Sequence, residues 1–541
     1  MALTNPVVLS ALLLFGAVAI PRIPRLDWPL RQMLVLWLAV LGLLATLAFA
    51  AVPSFMQIIS AWQNFAGPAH VLSLEKTADG VRLGVLAFLA VVGILTAGLD
   101  ETHETPFSEH ITVVPAIAVT LLLFGLSGNL LTLLFAWTLL DLLALMALGF
   151  PGRSNWTLMA GILQGVGLFL LLIATLRTWT SSTTLAFFAV TTDALTLHIL
   201  LAAMAVRMSL YPLHLFAWPQ MHVPPHTRAL LPLLTLGAGG FWWLVFGASL
   251  ETLSYAWLVY FLLGIGLVAS GLLFWRARRP ALRTATLTVW LGHLLALAVF
   301  FNIPTLAHAI LWNGTLAAAV IAFHGGSRPW RQPSTLALGM AILALSGLPG
   351  GALGEVGRLL ATLTTQGHDW LAGAVVVGMS MLFAGMLALL RRMYAHAEEA
   401  ADAASANETE EEEAPSAHTP DRTWLGLMVL GLAAWPVVGG VLGLAPPASA
   451  TSAFPWGMHI ATLGLAWLAA FFFIRLETSV LGLSAWLNAL AATLSARWLW
   501  QGVGALGLLL MRATRGLLRV LEGENYGWLL LFLVIILILL S

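Results

Sequence analysis

Cysteine is absent from the 541-residue sequence, and lysine occurs once, at Lys76. Without cysteine the chain forms no disulfide, no thiolate-held zinc site and no iron–sulfur cluster, and it has no cysteine nucleophile. We therefore expect no cofactor in this chain, and any linked electron transfer must take place in another polypeptide. A net charge of zero, from 24 basic and 24 acidic residues, predicts no nucleic-acid partner.

Charged residues are scarce as well. They make up 9% of the chain, whereas hydrophobic residues make up 60%, and the mean hydropathy is +0.93. A soluble protein carries about 25% charged residues, because its surface must be solvated by water. The chain is therefore predicted to be an all-α polytopic membrane protein whose solvent is the lipid bilayer.

Apolar windows of about 20 residues, the length of a membrane-crossing helix, predict about sixteen spans. Two of them, 193–218 and 334–362, are predicted to be interrupted. The first is interpreted as a retained span, because it lacks the basic region and cleavage site of a signal peptide. The predicted spans are 4–20, 32–52, 82–99, 111–126, 129–150, 157–176, 193–218, 229–248, 254–275, 284–301, 304–324, 334–362, 370–394, 424–444, 456–474 and 525–541.

Arginines indicate the orientation of these spans, because positively charged loops stay in the cytoplasm. Alternate loops carry nearly all of them, whereas the opposite loops carry little more than Lys76, Arg82 and Arg177. The prediction is a multi-pass protein of the cell (inner) membrane with both termini on the outer side. The arginines of the cytoplasmic loops are Arg22, Arg25, Arg31, Arg153, Arg228, Arg276, Arg278, Arg279, Arg283, Arg328, Arg331, Arg391 and Arg392.

Composition also divides the chain into segments. The acidic, low-complexity stretch 397–422 is predicted to be a disordered cytoplasmic loop, with a docking site for a basic partner as the alternative. Arg512, Arg515 and Arg519 recur on one helical face, which favours an interfacial amphipathic helix over a further span at 479–496. The predicted segments are N-terminal helices 1–109, a first five-helix repeat 110–248, a second repeat 249–396, the acidic loop 397–422, two spans 423–477, the amphipathic helix 478–522 and a final span 523–541.

Two helix breaks stand out in the apolar sequence. Pro212 removes a backbone donor just after Arg207, which predicts a break near 207–219. Glycines and a proline in SGLPGGALGE predict a second break near 346–355. Such breaks are tolerated only where the freed backbone faces protein or water. Their matching positions in two five-helix halves are typical of inverted-repeat transporters.

Ionisable residues within spans are costly, so each is a functional hypothesis. The candidates for a proton path or its gating are Asp141, Arg207, His293, His308 and Glu355. Arg207 and Glu355 lie beside the two breaks. Isolated histidines such as His198 and His459 are better interpreted as hydrogen-bonded contacts between helices.

RMSLYPLHLFAWPQMHVPPHTRALLPLLTLGAGGFWW resembles the signature of the antiporter-like subunits of respiratory complex I (NADH–quinone oxidoreductase), shared with Mrp antiporters and membrane-bound hydrogenases. SGNLLTLLFAWTLLDLLALMALGF is similar to the family's fifth helix, LRTATLTVWLGH to its tenth, LAHAILWNG to its eleventh and GLPGGALGE to its broken twelfth. The resemblance covers roughly residues 110–395. It implies proton translocation, with other membrane subunits and redox subunits carrying flavin, iron–sulfur or quinone sites as partners.

The sequence departs from the family pattern at its ionisable positions. The glutamate of the fifth helix is replaced by Thr138, and Asp141 lies one turn further on the same face. The family's lysine of the broken seventh helix falls on Arg207, its lysine or polar residue of the eighth helix falls near Gly237, and its lysine of the eleventh falls on Trp312. A guanidinium stays charged, so Arg207 is expected to act as a fixed positive charge paired with Asp141.

The family pattern thus predicts a switchable Asp141–Arg207 pair in the first half-channel, His293 and His308 as the relay, and Glu355 as the exit group. The predicted function is a proton-translocating subunit of a multi-subunit energy-converting complex. One alternative is the membrane half of a two-component, proton-driven inorganic-carbon transporter with a soluble zinc protein as partner. Another is a degenerate, non-conducting structural subunit. The sequence leaves the electron donor and the choice between proton and sodium open.

Overall fold

The chain is a bundle of apolar helices in the computed structural model. Within the residues that it describes, nine helices are long and apolar enough to cross a membrane. The described residues are 6–20, 23, 27–50, 56–61, 71–97, 111, 113–149, 155–182, 185, 187, 193–213, 228–247, 256–324, 334–348, 351–407, 456–479, 482–495 and the single positions 501, 502, 505, 509 and 512.

Three helices and a strand pair form the N-terminal part. They are α1 (Pro6–Ala19), α2 (Trp28–Ala50), β1 (Met56–Ala61), β2 (Val71–Glu75) and α3 (Ala78–Ala97). The antiparallel strands were not predicted from the sequence. Asn129 ties β2 to the following helices, because its Nδ2 donates to Ser73 Oγ at 2.9 Å.

Two groups of five helices follow along the chain. The first group comprises α4 (Val113–Gly125), α5 (Leu130–Gly149), α6 (Asn155–Ser182), α7 (Ala194–Arg207) and the π-turn π1 (Leu233–Gly237) continuing into α8 (Ala238–Gly247). The second comprises α9 (Ala256–Arg276), α10 (Pro280–Phe300), α11 (Pro304–Ala309) joined by π-turn π2 (Ile310–Gly314) to α12 (Thr315–His324), α13 (Ser334–Leu345) followed by α14 (Val356–Thr365), and α15 (Asp369–Asn407). The fourth member of each group is the broken helix.

Each broken helix ends at a residue in the left-handed conformation. After α7, Ser209 has φ 56°, and the Leu210 and Ser209 N–H groups bond the Ala205 and Val206 carbonyls at 3.0 Å. This is a Schellman ending, which terminates the helix at Arg207, before the chain reaches Pro212. After α13, Gly347 has φ 90°. The predicted all-α polytopic fold with two broken helices is therefore confirmed.

The acidic segment differs from its prediction. Helix α15 continues to Asn407, so the prediction of a disordered loop is wrong for residues 397–407. Alanine and glutamate dominate that stretch, and both favour continuation of an existing helix. Residues 408–422 lie outside the described residues, as do the predicted spans 424–444 and 525–541. Every other predicted span overlaps a described helix.

Helix α16 (Trp456–Ser479) follows α15 among the described residues. The Trp467 ring of α16 stacks on Phe383 of α15 at 4.3 Å. A separate compact unit begins at Gly482 and contains α17 (Leu483–Leu494), which lies within the predicted amphipathic segment. The face predicted from Arg515 and Arg519 lies outside the described residues.

The core is centred on α10 and on the continuous segment Pro304–Phe323. Within their apolar windows, 89% and 100% of the residues are buried inside the protein, whereas only 28% are buried in α2. Helices that are apolar on all sides can be either buried or lipid-facing. The buried fraction shows that these two segments are interior helices, so the second-repeat candidates His293 and His308 lie inside the protein.

Candidate functional site

A buried ion pair joins the first broken helix to α5. Arg207 is the last residue of α7, and its Nη1 donates to Oδ1 of Asp141. The two side chains are 2% and 8% exposed. Burying two charges is costly, and removing one partner would leave the other uncompensated. The local charge balance of this site therefore depends on both residues.

The Arg207 guanidinium has two further contacts. Its Nε donates to the Leu234 carbonyl in π1 at 3.1 Å, and its Cζ lies 5.1 Å from the centre of the Trp137 ring. A π-turn rearranges the regular carbonyl ladder and is common at functional sites. A Cβ at Gly239 would lie 2.6 Å from Met208 Cγ and 3.2 Å from Arg207 Cβ, so glycine permits this approach.

A small cavity lies beside the guanidinium. It has room for about one water molecule and is lined by Trp137, Leu163, Gln164, Gly167, Val206 and Arg207. The lining is polar in part: Gln164 Nε2 and Oε1 and Arg207 Nη2 are buried and have no hydrogen-bond partner within the described part of the chain. Sequence reasoning missed Gln164, although an amide within an apolar helix was a usable signal.

Thr138 occupies the place of the family's acidic residue, but it makes a local contact. Its hydroxyl donates to the Leu134 carbonyl at 2.8 Å, one turn earlier on α5. Since residues three apart share a helix face, Asp141 reaches the same side of α5. The structure thus pairs Arg207 with Asp141.

His293 of α10 contacts the first break. The Tyr211 N–H donates to His293 Nε2 at 3.0 Å, so Nδ1 must carry the proton that it donates to the Val289 carbonyl at 2.7 Å. The ring is fully buried and held as the neutral Nδ1–H tautomer. A Cβ at Gly266 would overlap the imidazole, so the glycine gives the ring its room.

His308 lies apart from that pair and contacts α3. Its Nδ1 lies 2.7 Å from the Pro304 carbonyl, and its Nε2 lies 3.5 Å from Oδ1 of Asp79. Asp79 also binds Arg82 at 2.8 Å. Sequence reasoning missed Asp79, because the sequence alone did not show that α3 lies against α11.

Glu355 is the N-cap residue of α14, immediately after the second break. Its Oε2 lies 2.7 Å from Arg358 Nε, and the carboxylate side chain is 26% exposed. The break itself is held by His459 of α16, whose Nε2 donates to the Gly347 carbonyl at 2.9 Å. His459 is thus a helix contact, as the sequence favoured.

The remaining two lysine positions of the family pattern lie in the π-turns. Gly237 is the last residue of π1, and Trp312 is the middle residue of π2. Trp312 is 1% exposed. The two π-turns contact each other. The distorted backbone is therefore present at both positions, although neither residue is the lysine that the resemblance predicts.

Direct contacts divide the five predicted residues into three groups. The first group contains Asp141 and Arg207, which form the ion pair, and His293, which bonds the Tyr211 N–H four residues after Arg207. His308 and Glu355 each have their own partners. Across the described ranges, no group of three or more histidines, cysteines, aspartates or glutamates could hold a metal ion.

Comparisons with known proteins identify the fold. No protein-family profile and no curated protein matches the chain. A chain of the Mrp complex from Dietzia sp. matches with a TM-score of 0.72 and 14% identity, over 97% of this chain. This chain spans 63% of that protein's length.

A chain of the membrane-bound sulfane sulfur reductase, an archaeal respiratory membrane complex, matches with a TM-score of 0.70 and 14% identity. The match covers 99% of this chain and 100% of that one. The chain therefore shares its fold with chains of both complexes, which confirms the predicted resemblance at the level of the fold.

Proposed function

We propose that the chain is a proton-translocating, antiporter-like subunit of a multi-subunit energy-converting membrane complex. The buried Asp141–Arg207 pair at the end of a broken helix carries this proposal. The fold supports it, because the two matched structures are both membrane complexes.

Asp141 is the group that gains and loses a proton in the first half of the path. Arg207 stays charged and stabilises the carboxylate form of Asp141. Protonation of Asp141 removes that compensation and leaves a buried cation, which is costly. The two side chains therefore separate, or Arg207 forms an ion pair with another anion. Either rearrangement couples proton uptake to motion at the end of α7.

The Gln164 cavity gives a proton access to this pair. A water in it has the Gln164 amide and Arg207 Nη2 as partners, which meets the need for two or more polar contacts. Gln164 would hold that water and would not itself exchange a proton. Its role is to position the donor.

His293 connects the rearrangement of the Asp141–Arg207 pair to the second repeat. A protonated imidazole has two donors and no acceptor, so it releases the Tyr211 N–H that it now accepts. Protonation of His293 thus loosens the backbone four residues after Arg207. His308 continues the relay beside Asp79, and Glu355 is the exit group of the second half.

The driving energy comes from partners. We propose redox subunits with flavin, iron–sulfur or quinone sites, together with other membrane subunits, in a cell membrane with both chain termini outside. Mass spectrometry of the complex after mild detergent extraction tests this. Redox subunits support the proposal, whereas a soluble zinc protein as sole companion would indicate proton-driven inorganic-carbon uptake instead.

Proton flux tests the role of Asp141 directly. In vesicles reconstituted with the purified complex, Asp141→Asn should lower energised proton uptake by about 100-fold, because the carboxylate is an essential acid–base group. Asp193→Asn is the matched control, since Asp193 also pairs with an arginine, Arg177, but its side chain is 24% exposed. Unchanged uptake in an assembled Asp141→Asn complex would refute the proposal.

A non-conducting structural subunit is the second candidate. Buried Trp312 and Gly237 at these positions favour it, since neither an indole nor a glycine offers a group that can relay a proton. Arg207→Lys separates the two functions, because a buried lysine can titrate near neutral pH. A conducting subunit should change its uptake and its pH profile, whereas a structural one should show neither.

A further inference from the structure

The C-terminal ends of α9 and α16 meet α15 where its membrane-crossing segment, Asp369–Arg392, ends. Arg276 at the end of α9 forms an ion pair with Glu477 near the end of α16. Arg392 of α15 donates from Nη1 to the Ala277 carbonyl at 3.3 Å. These contacts bring the C-terminal ends of the three membrane-crossing segments to one place, where the arginine-rich loops also lie.

A cavity of about 110 Å³ opens between these helix ends, lined by Trp275, Arg276, Arg278, Ala388, Arg392 and Glu477. Three arginines and one glutamate leave two positive charges in excess. Glu477 already binds Arg276, and no ion pair joins a carboxylate to Arg278 or Arg392 within the part of the chain that the structure describes. The cavity is therefore cationic.

Like charges at this site repel one another. Arg392 is repelled by Arg276 and Arg278 and attracted by Glu477, and it is also repelled by Arg283. Arg283 is 5% exposed and donates to the same Ala277 carbonyl at 3.1 Å. Glu477 offsets one of these four guanidinium charges, and holding the others together costs Coulomb energy unless a further anion shares the site. The arrangement thus suits a ligand with negative charge.

We infer that this cavity binds the phosphate headgroup of an anionic phospholipid. Guanidinium groups match phosphate oxygens with paired hydrogen bonds. Basic pockets between helices at the membrane surface bind such headgroups. The inference is independent of proton translocation, because none of its residues belongs to the proposed path.

The surroundings favour a lipid over free phosphate. The Trp275 ring lies 5.8 Å from Phe473 of α16, so aromatic rings stand at the level of the headgroup. The membrane-crossing segments Ala256–Arg276, Asp369–Arg392 and Gly457–Glu477 all end at residues that line the cavity. Acyl chains attached to a headgroup in the cavity would therefore lie along these apolar helices, a contact that a free phosphate cannot make.

Native mass spectrometry of the full-length protein tests the inference, with dioleoyl-phosphatidylglycerol compared against dioleoyl-phosphatidylcholine. The wild type should bind the anionic lipid preferentially. Arg392→Gln and Arg278→Gln should each lower its affinity about fivefold, since each removes one of the attracting charges, and should leave phosphatidylcholine binding unchanged. Arg391→Gln is the matched control, because Arg391 is the exposed neighbour outside the cavity.

Three outcomes would overturn the inference. The first is an equal preference for phosphatidylglycerol in the wild type and in both cavity variants. The second is competition by inorganic phosphate at millimolar concentration, which would assign the site to a free anion. The third is lipid binding only after deletion of residues 408–422, which would show that the acidic segment of this chain occupies the cavity. Arg278 is exposed, so its variant keeps the test valid if Arg392→Gln fails to fold.

Discussion

The backbone N–H of Tyr211 donates to Nε2 of His293 at 3.0 Å, so an imidazole from the second repeat caps the broken helix of the first. His459 serves the other break by donating to the Gly347 carbonyl at 2.9 Å. In each half, a freed backbone group that lipid could not satisfy is bonded by a histidine from another helix. A change at either ring therefore acts on a break directly.

The contact between His293 and Tyr211 depends on Gly266. A methyl group at this position would overlap Nε2 of the imidazole, so Gly266→Ala should push the ring away from the Tyr211 N–H. Displacing a positioned group by about 1 Å can cost about 100-fold in rate. We therefore expect a loss of proton uptake approaching that size in reconstituted vesicles, with the complex still assembled.

Gly339→Ala is the matched control for this substitution, because a Cβ at Gly339 meets nothing within 4 Å. It should leave uptake unchanged. If Gly266→Ala conducts protons as well as the control does, the contact between His293 and the break plays no part in translocation.

The cavity beside Arg207 leads to a second prediction. Gln164→Leu removes both amide partners of a water there and leaves Arg207 Nη2 facing an apolar wall. Proton uptake should fall several-fold, since an apolar wall cannot replace the hydrogen bonds of a positioned water. Stopped-flow acidification of reconstituted vesicles measures this rate.

Thr175→Val on the same helix controls for the loss of a polar group, because the Thr175 hydroxyl donates to the Leu171 carbonyl of its own helix. Its uptake should match the wild type. Equal rates for Gln164→Leu and Thr175→Val would exclude the cavity from the path.

Patterns within single helices predicted much of the fold. Hydropathy marks each span because lipid leaves no alternative to a helix, and the glycines of SGLPGGALGE marked the second break. Helix α7 ends at Arg207, where the first break was predicted, but the ending is formed by Ser209 in the left-handed conformation. Serine gives little sequence signal for that geometry, whereas glycine at Gly347 does.

Contacts between distant segments could not be predicted in the same way. The Asp141–Arg207 ion pair was expected from the family pattern, because Asp141 lies one turn from the place of the family's glutamate and Arg207 falls on the family's lysine. Asp79 meets His308 only because α3 packs near α11, and Gln164 lines a cavity formed by three helices. Neither arrangement has a periodicity along the chain, and both depend on packing.

Asp193 gives a pH-dependent prediction outside the membrane-crossing segments. It caps α7 by accepting from the Leu195 N–H at 3.1 Å. Hydrogen bonds from Arg177 and Thr196 lower the pKa of Asp193 from 3.8 to about 2. A carboxylate with a depressed pKa stabilises the folded state above its ordinary pKa, and this contribution is lost as the pH falls through the folded value.

Asp193→Asn keeps a capping side chain but removes the charge that pairs with Arg177. The variant should unfold at a lower temperature than the wild type at pH 5 to 7. The difference should shrink as the pH falls from about 4 to about 2, where wild-type Asp193 becomes protonated. Thermal unfolding of the detergent-solubilised protein across this range measures it.

Arg177→Gln should show the same pH dependence. The double variant should be little less stable than either single variant, because both substitutions remove the same interaction. A difference that stays constant down to pH 2 would show that the ion pair is not its source.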